Sequence, residues 1–163
     1  MWQLKKSKVH GTGIVVTENI KKNTQIIEYI GEKVTKKEGD KRSAERIKKF
    51  LSKKNSGSVY IFELNKKYDI DGSPLYNKAR YINHSCNPNC EVDIIKNKIW
   101  IRSIKKINKG EELNYDYGYP FDEDDYNDHI CKCGSANCIG FIISQNDWVK
   151  YNKFLKKNKK NAK

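Results

Sequence analysis

The chain has 163 residues, 33 of them lysine or arginine against 20 aspartate or glutamate, for a formal net charge of +13. That length fits one domain and not two ordinary ones, and the charge favours polyanions such as nucleic acid or chromatin as partners. No apolar run approaches the roughly 18 residues that cross a bilayer, and residues 1–10 lack the apolar core of a secretory leader, so the expectation is a soluble intracellular protein without a membrane partner.

In chain order, VHGTGIVV places Gly11 and Gly13 one residue apart, which without a third glycine reads as a tight turn. Residues 25–32, QIIEYIGE, read as a strand ending at Gly31. Across residues 40–54 the apolar Ala44, Ile47, Phe50 and Leu51 recur at helical spacing, predicting one short amphipathic helix with Asp40 as N-cap and a core-packing face. Residues 58–64 and 67–70 read as strands, and DIDG at 69–72 as a turn. The stretch RYINHSCNPNC at 80–90 is denser in polar and sulfur-bearing residues than a surface loop requires, so it binds something or ties something together. Residues 92–95 and 98–104 alternate around Lys96 and Asn97 as a hairpin should, and residues 108–111 form a turn before LNYDYGYP. Many short strands and few helices predict a mostly β (α+β) domain.

Five cysteines without a secretory leader favour a metal site over a disulfide framework. In CKCGSANCIGFI, Cys131, Cys133 and Cys138 supply three thiols, and a closed tetrahedral zinc site needs a fourth; Cys86 and Cys90 are both eligible by type. The acidic run at 122–125, with Asp128 beyond it, reads as a solvated loop. From Asn146 onward, Trp148, Tyr151 and Leu155 share one helical face, and residues 156–163 read as a solvated basic tail.

These segments resemble, in order, those of the SET-domain protein lysine methyltransferases, nearest in look to the mixed-lineage-leukaemia or trithorax type. HGTGI is similar to the HGxG cofactor turn, IEYIGE to the strand after it, and VYIFEL with YDIDG to the central strands. RYINHSCNPNC resembles RFINHSCxPNC, GEELNYDYGY resembles GEELTYDY, and CKCGSANCIGFI resembles the post-SET motif. The resemblance implies a SET-domain β-clip fold of short sheets with a pseudoknot, one short inserted helix, a zinc-stapled post-SET segment and a C-terminal helix. Residues 1–120 would be the SET domain, 121–143 the acidic linker and post-SET zinc motif, and 144–163 the helix and basic tail. No pre-SET cysteine cluster or reader domain is present in the sequence, which makes a minimal enzyme the expectation.

By motif position, the resemblance implies S-adenosylmethionine held by His10, Gly11, Thr12, Gly13, Tyr60, Arg80, Asn83, His84, Lys132 and Ile142, with Lys132 replacing a smaller polar residue. It implies Tyr117 as the catalytic tyrosine and Tyr115 at the position where the family carries Tyr or Phe. One structural zinc would sit on Cys86, Cys131, Cys133 and Cys138, leaving Cys90 dispensable. The implied activity is methylation of a protein lysine, with a histone tail or nucleosome as substrate, histone H3 favoured, and mono- or dimethyl-lysine as main product. A non-histone protein substrate, or a non-catalytic zinc-stapled chromatin-binding module, is the alternative. Basic surface implies non-specific DNA contact, and location in a nucleus or on chromatin follows if the source is eukaryotic, or in a host nucleus if it is viral or bacterial. Oligomeric state is not legible.

Overall fold

The structure, a computed structural model, describes residues 1–53 and 59–161; the side chains of Phe50 and Leu51, residue Ser58 and the end of the basic tail lie outside what is described. In chain order the elements are β1 (Trp2–Lys6), β2 (Thr12–Val16), β3 (Gln25–Tyr29), β4 (Glu32–Thr35), α1 (Lys36–Lys53), β5 (Ile61–Glu63) and β6 (Tyr68–Asp71). After these come β7 (Asn83–His84), β8 (Cys90–Ile95), β9 (Lys98–Ser103), β10 (Asn114–Tyr115) and α2 (Trp148–Asn161). The strands form four small sheets, β1-β2, β10-β7, β3-β9-β8 and β4-β6-β5, as the expected class of short β-sheets with few helices requires. No helix among the described residues is long and apolar enough to cross a membrane.

The chain forms two compact units. One comprises Asn23–Tyr81 and Val92–Ser103; the other comprises Met1–Lys22, Ile82–Glu91 and Ile104–Lys163.

In the unit containing Asn23–Tyr81, the expected hairpin is present: Lys96 (φ 49°) and Asn97 (φ 57°) are both left-handed, the conformation a two-residue turn of this twist needs. The single strand expected at 25–32 is instead two, β3 and β4, which separate at Gly31. A Cβ there would lie 2.1 Å from the Asp71 carbonyl oxygen, so the backbones meet where only glycine fits. The turn expected at DIDG is also corrected, since β6 runs through Asp71 and pairs on both sides, with Glu32 and with Ile61.

Helix α1 starts four residues before its expected N-cap. Thr35 Oγ1 accepts from Glu38 N at 3.3 Å and caps the helix, leaving Asp40 inside it. Of its expected apolar face, Ala44 and Ile47 are exposed, Ile47 to 42%, and the side chains of Phe50 and Leu51 lie outside what is described. Instead Lys36, Gly39, Arg42 and Arg46, at helical spacing, face the strand β6. Lys36 Nζ donates to Asp69 at 2.7 Å, and a Cβ on Gly39 would come within 2.5 Å of Asp69 Oδ2. Arg46 grips both oxygens of buried Asp71 at 3.0 and 2.8 Å, while Arg42 reaches Asp71 at 2.9 Å and Glu32 at 2.7 Å. A charged docking face has no hydrophobic periodicity, which is why a search for apolar spacing misplaces it.

Burial alone would raise the Asp71 carboxyl, but Arg46 and Arg42 outweigh it and hold the group far below the ordinary carboxylate range. A depressed folded-state value gives stability that is present at neutral pH and is lost as pH falls below about 4. Asp71→Ala strands two arginines against β6 and is expected to cost about 3–5 kcal/mol in denaturant unfolding at pH 7. A cost below about 1 kcal/mol would show that α1 docks without the ion pairs.

In the unit containing Met1–Lys22, β1 and β2 pair antiparallel from Trp2↔Val16 to Lys6↔Thr12. Buried Ile14, Val16, Ile20, Ile82, Ile107 and Leu113 fill its interior. Strand β10 lies parallel to β7, with Asn114 opposite Asn83 and Tyr115 opposite His84. That pairing seats the tyrosine-rich segment beside the polar loop at 80–90. A second apolar cluster joins Phe121, Ile143 and Tyr151 with Tyr126, Phe141, Trp148, Phe154 and Leu155. The apolar face of α2 therefore packs as its spacing predicts, but the helix runs to Asn161, through much of the stretch expected to be a tail.

Candidate active site and metal centre

The turn between β1 and β2 is organised by Ser7. Its Oγ accepts from Val9 N (2.9 Å) and His10 N (3.2 Å), Ser7 N donates to Gly11 O (2.9 Å), and Gly11 takes φ 53°. Asn83 meets this turn. Its Nδ2 lies 3.2 Å from His10 O, 3.3 Å from Thr12 O, 3.0 Å from Ser7 Oγ and 2.8 Å from Glu112 Oε1. The structure thus brings together His10, Thr12, Gly13 and Asn83, and adds Ser7 and Glu112, which sequence reasoning passed over although GEEL was in view.

His84 is buried and makes two different contacts. Its Nδ1 accepts from Tyr117 N at 3.2 Å, and its Nε2 lies 3.6 Å from Cys86 Sγ. An acceptor at Nδ1 leaves the ring proton on Nε2, facing the sulfur. Burial lowers its pKa, opposed by Asp116, whose carboxylate is 3.8 Å away, so the ring stays neutral at physiological pH.

Three tyrosine rings follow in a row. Tyr115 and Tyr117 are 5.1 Å apart, Tyr117 and Tyr119 5.9 Å, and His129 closes the row edge-on to Tyr119 at 5.1 Å. The Tyr117 hydroxyl donates to Ile82 O at 3.1 Å. Burial raises the Tyr119 hydroxyl above its ordinary value. Such a row offers apolar walls with hydroxyl tips, suited to desolvating an alkyl stem and orienting its polar end.

Beside this row, Cys86, Cys131, Cys133 and Cys138 place their sulfurs within 4.8 Å of one another. Cys86 Sγ lies 3.8 Å from both Cys131 Sγ and Cys138 Sγ. A tetrahedral zinc with bonds of about 2.3 Å sets its sulfurs about 3.8 Å apart, so the donor set fits zinc in spacing and chemistry, with no open coordination position. Second contacts orient the donors. Cys86 N donates to Cys133 Sγ at 3.5 Å, Gly140 N to Cys138 Sγ at 3.4 Å, and Gln145 Nε2 to Cys86 O at 2.8 Å. Cys90 is outside the cluster, fully buried, with burial pushing its thiol up to about 12. Of the two thiols eligible by type, the geometry groups Cys86 with the other three.

Lys132 is exposed, and half-buried Ile142 donates its N–H to His129 O at 2.7 Å. Tyr60 and Arg80 belong to the other unit, where the Arg80 guanidinium stacks 4.1 Å from the Tyr60 ring and 5.4 Å from the Tyr81 ring and bonds to Ser73 O.

The SET domain family pattern matches residues 11–118 of the chain. Over 141 residues the chain is 38% identical to a protein of Aspergillus oryzae named histone-lysine N-methyltransferase, H3 lysine-4 specific, covering 84% of this chain and 11% of that protein. It is 38% identical over 139 residues to human histone-lysine N-methyltransferase 2D, covering 83% of this chain and 2% of the relative. It is 40% identical over 139 residues to histone-lysine N-methyltransferase trr of Drosophila melanogaster, covering 83% of this chain and 5% of the relative. The chain therefore spans about a tenth, or less, of the length of these relatives.

Proposed function

The chain belongs to the SET-domain family, and from that membership we propose that it is an S-adenosylmethionine-dependent protein-lysine N-methyltransferase acting on a histone tail, with histone H3 favoured. The observation that carries the reading is the tyrosine row set by β10 against the Asn83–His84 pair, a place where a lysine stem is desolvated beside an acceptor-rich turn. The names of the relatives support the histone substrate.

Bound S-adenosylmethionine supplies an already activated methyl group, so alignment and exclusion of water matter more than a strong base. The turn at His10, Gly11, Thr12 and Gly13, with Asn83 and His84, would hold the cofactor, and Lys132 and Ile142 of the post-SET segment would flank it. A free lysine amine has a pKa near 10.4, and burial against the rings of Tyr115, Tyr117 and Tyr119 lowers it toward the neutral, nucleophilic form. The Tyr117 hydroxyl orients that amine. One structural zinc on Cys86, Cys131, Cys133 and Cys138 ties the post-SET segment at 121–143 to the loop carrying Asn83 and His84, beyond a SET domain at 1–120 and before the helix and basic end at 144–163. Lys153, Lys156 and Lys157 stand exposed on α2, whose opposite face is packed, and would meet nucleosomal DNA through its phosphates. Action in a nucleus, on chromatin, follows from this reading.

Incubation with labelled S-adenosylmethionine and histone octamers, nucleosomes or basic non-histone proteins, followed by mass spectrometric location of the methyl-lysine, tests it. Label on an H3 tail lysine is the expected result. Label on non-histone protein alone overturns the substrate, and no label on any protein overturns the activity.

Tyr115 is buried with its ring against Tyr117. A hydroxyl at that place narrows the pocket, so Tyr115→Phe is expected to shift product from mono- and dimethyl toward trimethyl-lysine at similar total turnover. An unchanged methyl distribution by mass spectrometry would remove Tyr115 from product control.

A further inference from the structure

Resting on the cofactor reading above, we propose that Glu112 is a positioning residue for the amino-acid end of the cofactor: it locks the Asn83 amide so that Oδ1 faces outward and makes the turn selective for an α-ammonium group.

The argument starts from donor and acceptor counting. An amide nitrogen carries two N–H bonds, yet Asn83 Nδ2 is surrounded by two backbone carbonyls, a hydroxyl oxygen and a carboxylate oxygen, at 2.8–3.3 Å. The reverse amide orientation would press Oδ1 against three groups that can only accept, so the orientation is fixed by chemistry. The acceptors of this cluster outnumber its donors, and such a surplus suits a cation. Asn83 Oδ1 has no protein partner among the described residues.

Glu112 is the one charged member of the cluster. Its Oε1 takes the shortest bond to Asn83 and also accepts from Ser7 Oγ at 2.7 Å, so one carboxylate oxygen joins the loop at 80–90 to the residue that shapes the β1-β2 turn. Its backbone is held independently. Glu112 O accepts from Asn89 Nδ2 at 2.8 Å and from Asn114 Nδ2 at 3.1 Å, and Glu112 bridges to Val15. Losing the carboxylate therefore leaves the strand in place. Gly13 supplies a second handle on the same contact. A Cβ on Gly13 would lie 2.4 Å from Glu112 Oε1 and 3.1 Å from Ser7 Cβ, and the Gly13 backbone is not left-handed, so Gly13→Ala displaces the end of the Glu112 side chain and crowds its Ser7 partner without removing the charge.

The test compares two ligands by isothermal titration calorimetry. S-adenosylhomocysteine carries the α-ammonium group, whereas 5′-methylthioadenosine has the same nucleoside and lacks the amino acid. Glu112→Gln, which keeps an acceptor oxygen but removes its charge, and Gly13→Ala are each expected to weaken S-adenosylhomocysteine roughly tenfold, the difference between a charged and a neutral hydrogen-bond acceptor, while methylthioadenosine binding changes less than about twofold. Equal weakening of both ligands, or of neither, by both variants overturns the proposal by reducing Glu112 to a fold-supporting role. Failure of the unmodified protein to bind S-adenosylhomocysteine overturns the cofactor reading itself.

Discussion

Cys86→Ser is expected to abolish stoichiometric zinc binding, measured as metal per chain by mass spectrometry, and to lower methyl transfer by at least about 100-fold. Second contacts to metal ligands are commonly worth 10–100-fold, and loss of a ligand should exceed that. Three thiolates remain in Cys86→Ser, but the sulfur removed is the one contributed from the loop at 80–90, and it touches both Cys131 and Cys138 at 3.8 Å. Without it the other three cysteines have no metal-mediated tie to that loop. Among the described residues the residual links are Ser85 Oγ to Ser135 Oγ at 3.1 Å, the backbone Cys86 N to Cys133 Sγ at 3.5 Å, and the bonds of Asn137 and Gln145 to the Cys86 carbonyl. Each is worth about 1 kcal/mol, against apparent zinc energies of about 10–16 kcal/mol in small structural sites. Residues 121–143 should become protease-sensitive in Cys86→Ser and in chelator-treated protein alike. Cys90→Ser is the matched control. That thiol is equally buried but outside the cluster, so zinc content should stay at one per chain with a modest loss of stability. Equal zinc in the two variants would overturn the assignment.

The division between Cys86 and Cys90 illustrates what was legible in the sequence. Residue type alone admitted both, and the resemblance chose Cys86, which the sulfur positions agree with. The hairpin was legible because Lys96 and Asn97 punctuate alternating strands, a purely local signal. Helix α1 was legible in kind but not in boundary or face, since Thr35 is an N-cap with no apolar pattern behind it and Arg42 and Arg46 dock through charge. Tyr115 and Tyr117 were marked by motif position, whereas Ser7 and Glu112 were not found because their partnership spans 105 residues and depends on a turn, a parallel strand pair and a glycine that must coincide. Hydrophobic periodicity cannot register such a contact. A buried polar cluster emerges only when the backbone places its members, and the one sequence signal available was the second glutamate of GEEL directly before a buried leucine.

Tyr117→Phe separates chemistry from packing more cleanly than any other substitution in the site. The ring remains, and with it the stacking on Tyr115 at 5.1 Å, Tyr119 at 5.9 Å and His84 at 5.4 Å. Only the hydroxyl is lost, and its bond to the Ile82 carbonyl is worth about 0.5–1.5 kcal/mol, so the protein should stay folded with a small drop in melting temperature. If the hydroxyl orients the substrate amine, removing this one oriented group from a water-poor site should lower kcat about 10²–10³-fold, comparable to loss of a single preorganised donor elsewhere. Binding of S-adenosylhomocysteine should be unchanged and the peptide KM nearly so, because the walls of the channel persist. The signature thus differs from both neighbours: Glu112→Gln moves cofactor affinity, and Tyr115→Phe moves product distribution. Single-turnover transfer of labelled methyl by Tyr117→Phe reads the chemical step directly. A rate within about threefold of the unmodified protein would remove Tyr117 from catalysis and leave its hydroxyl a structural role, whereas a slow step with intact ligand binding identifies the hydroxyl as the group that aims the amine.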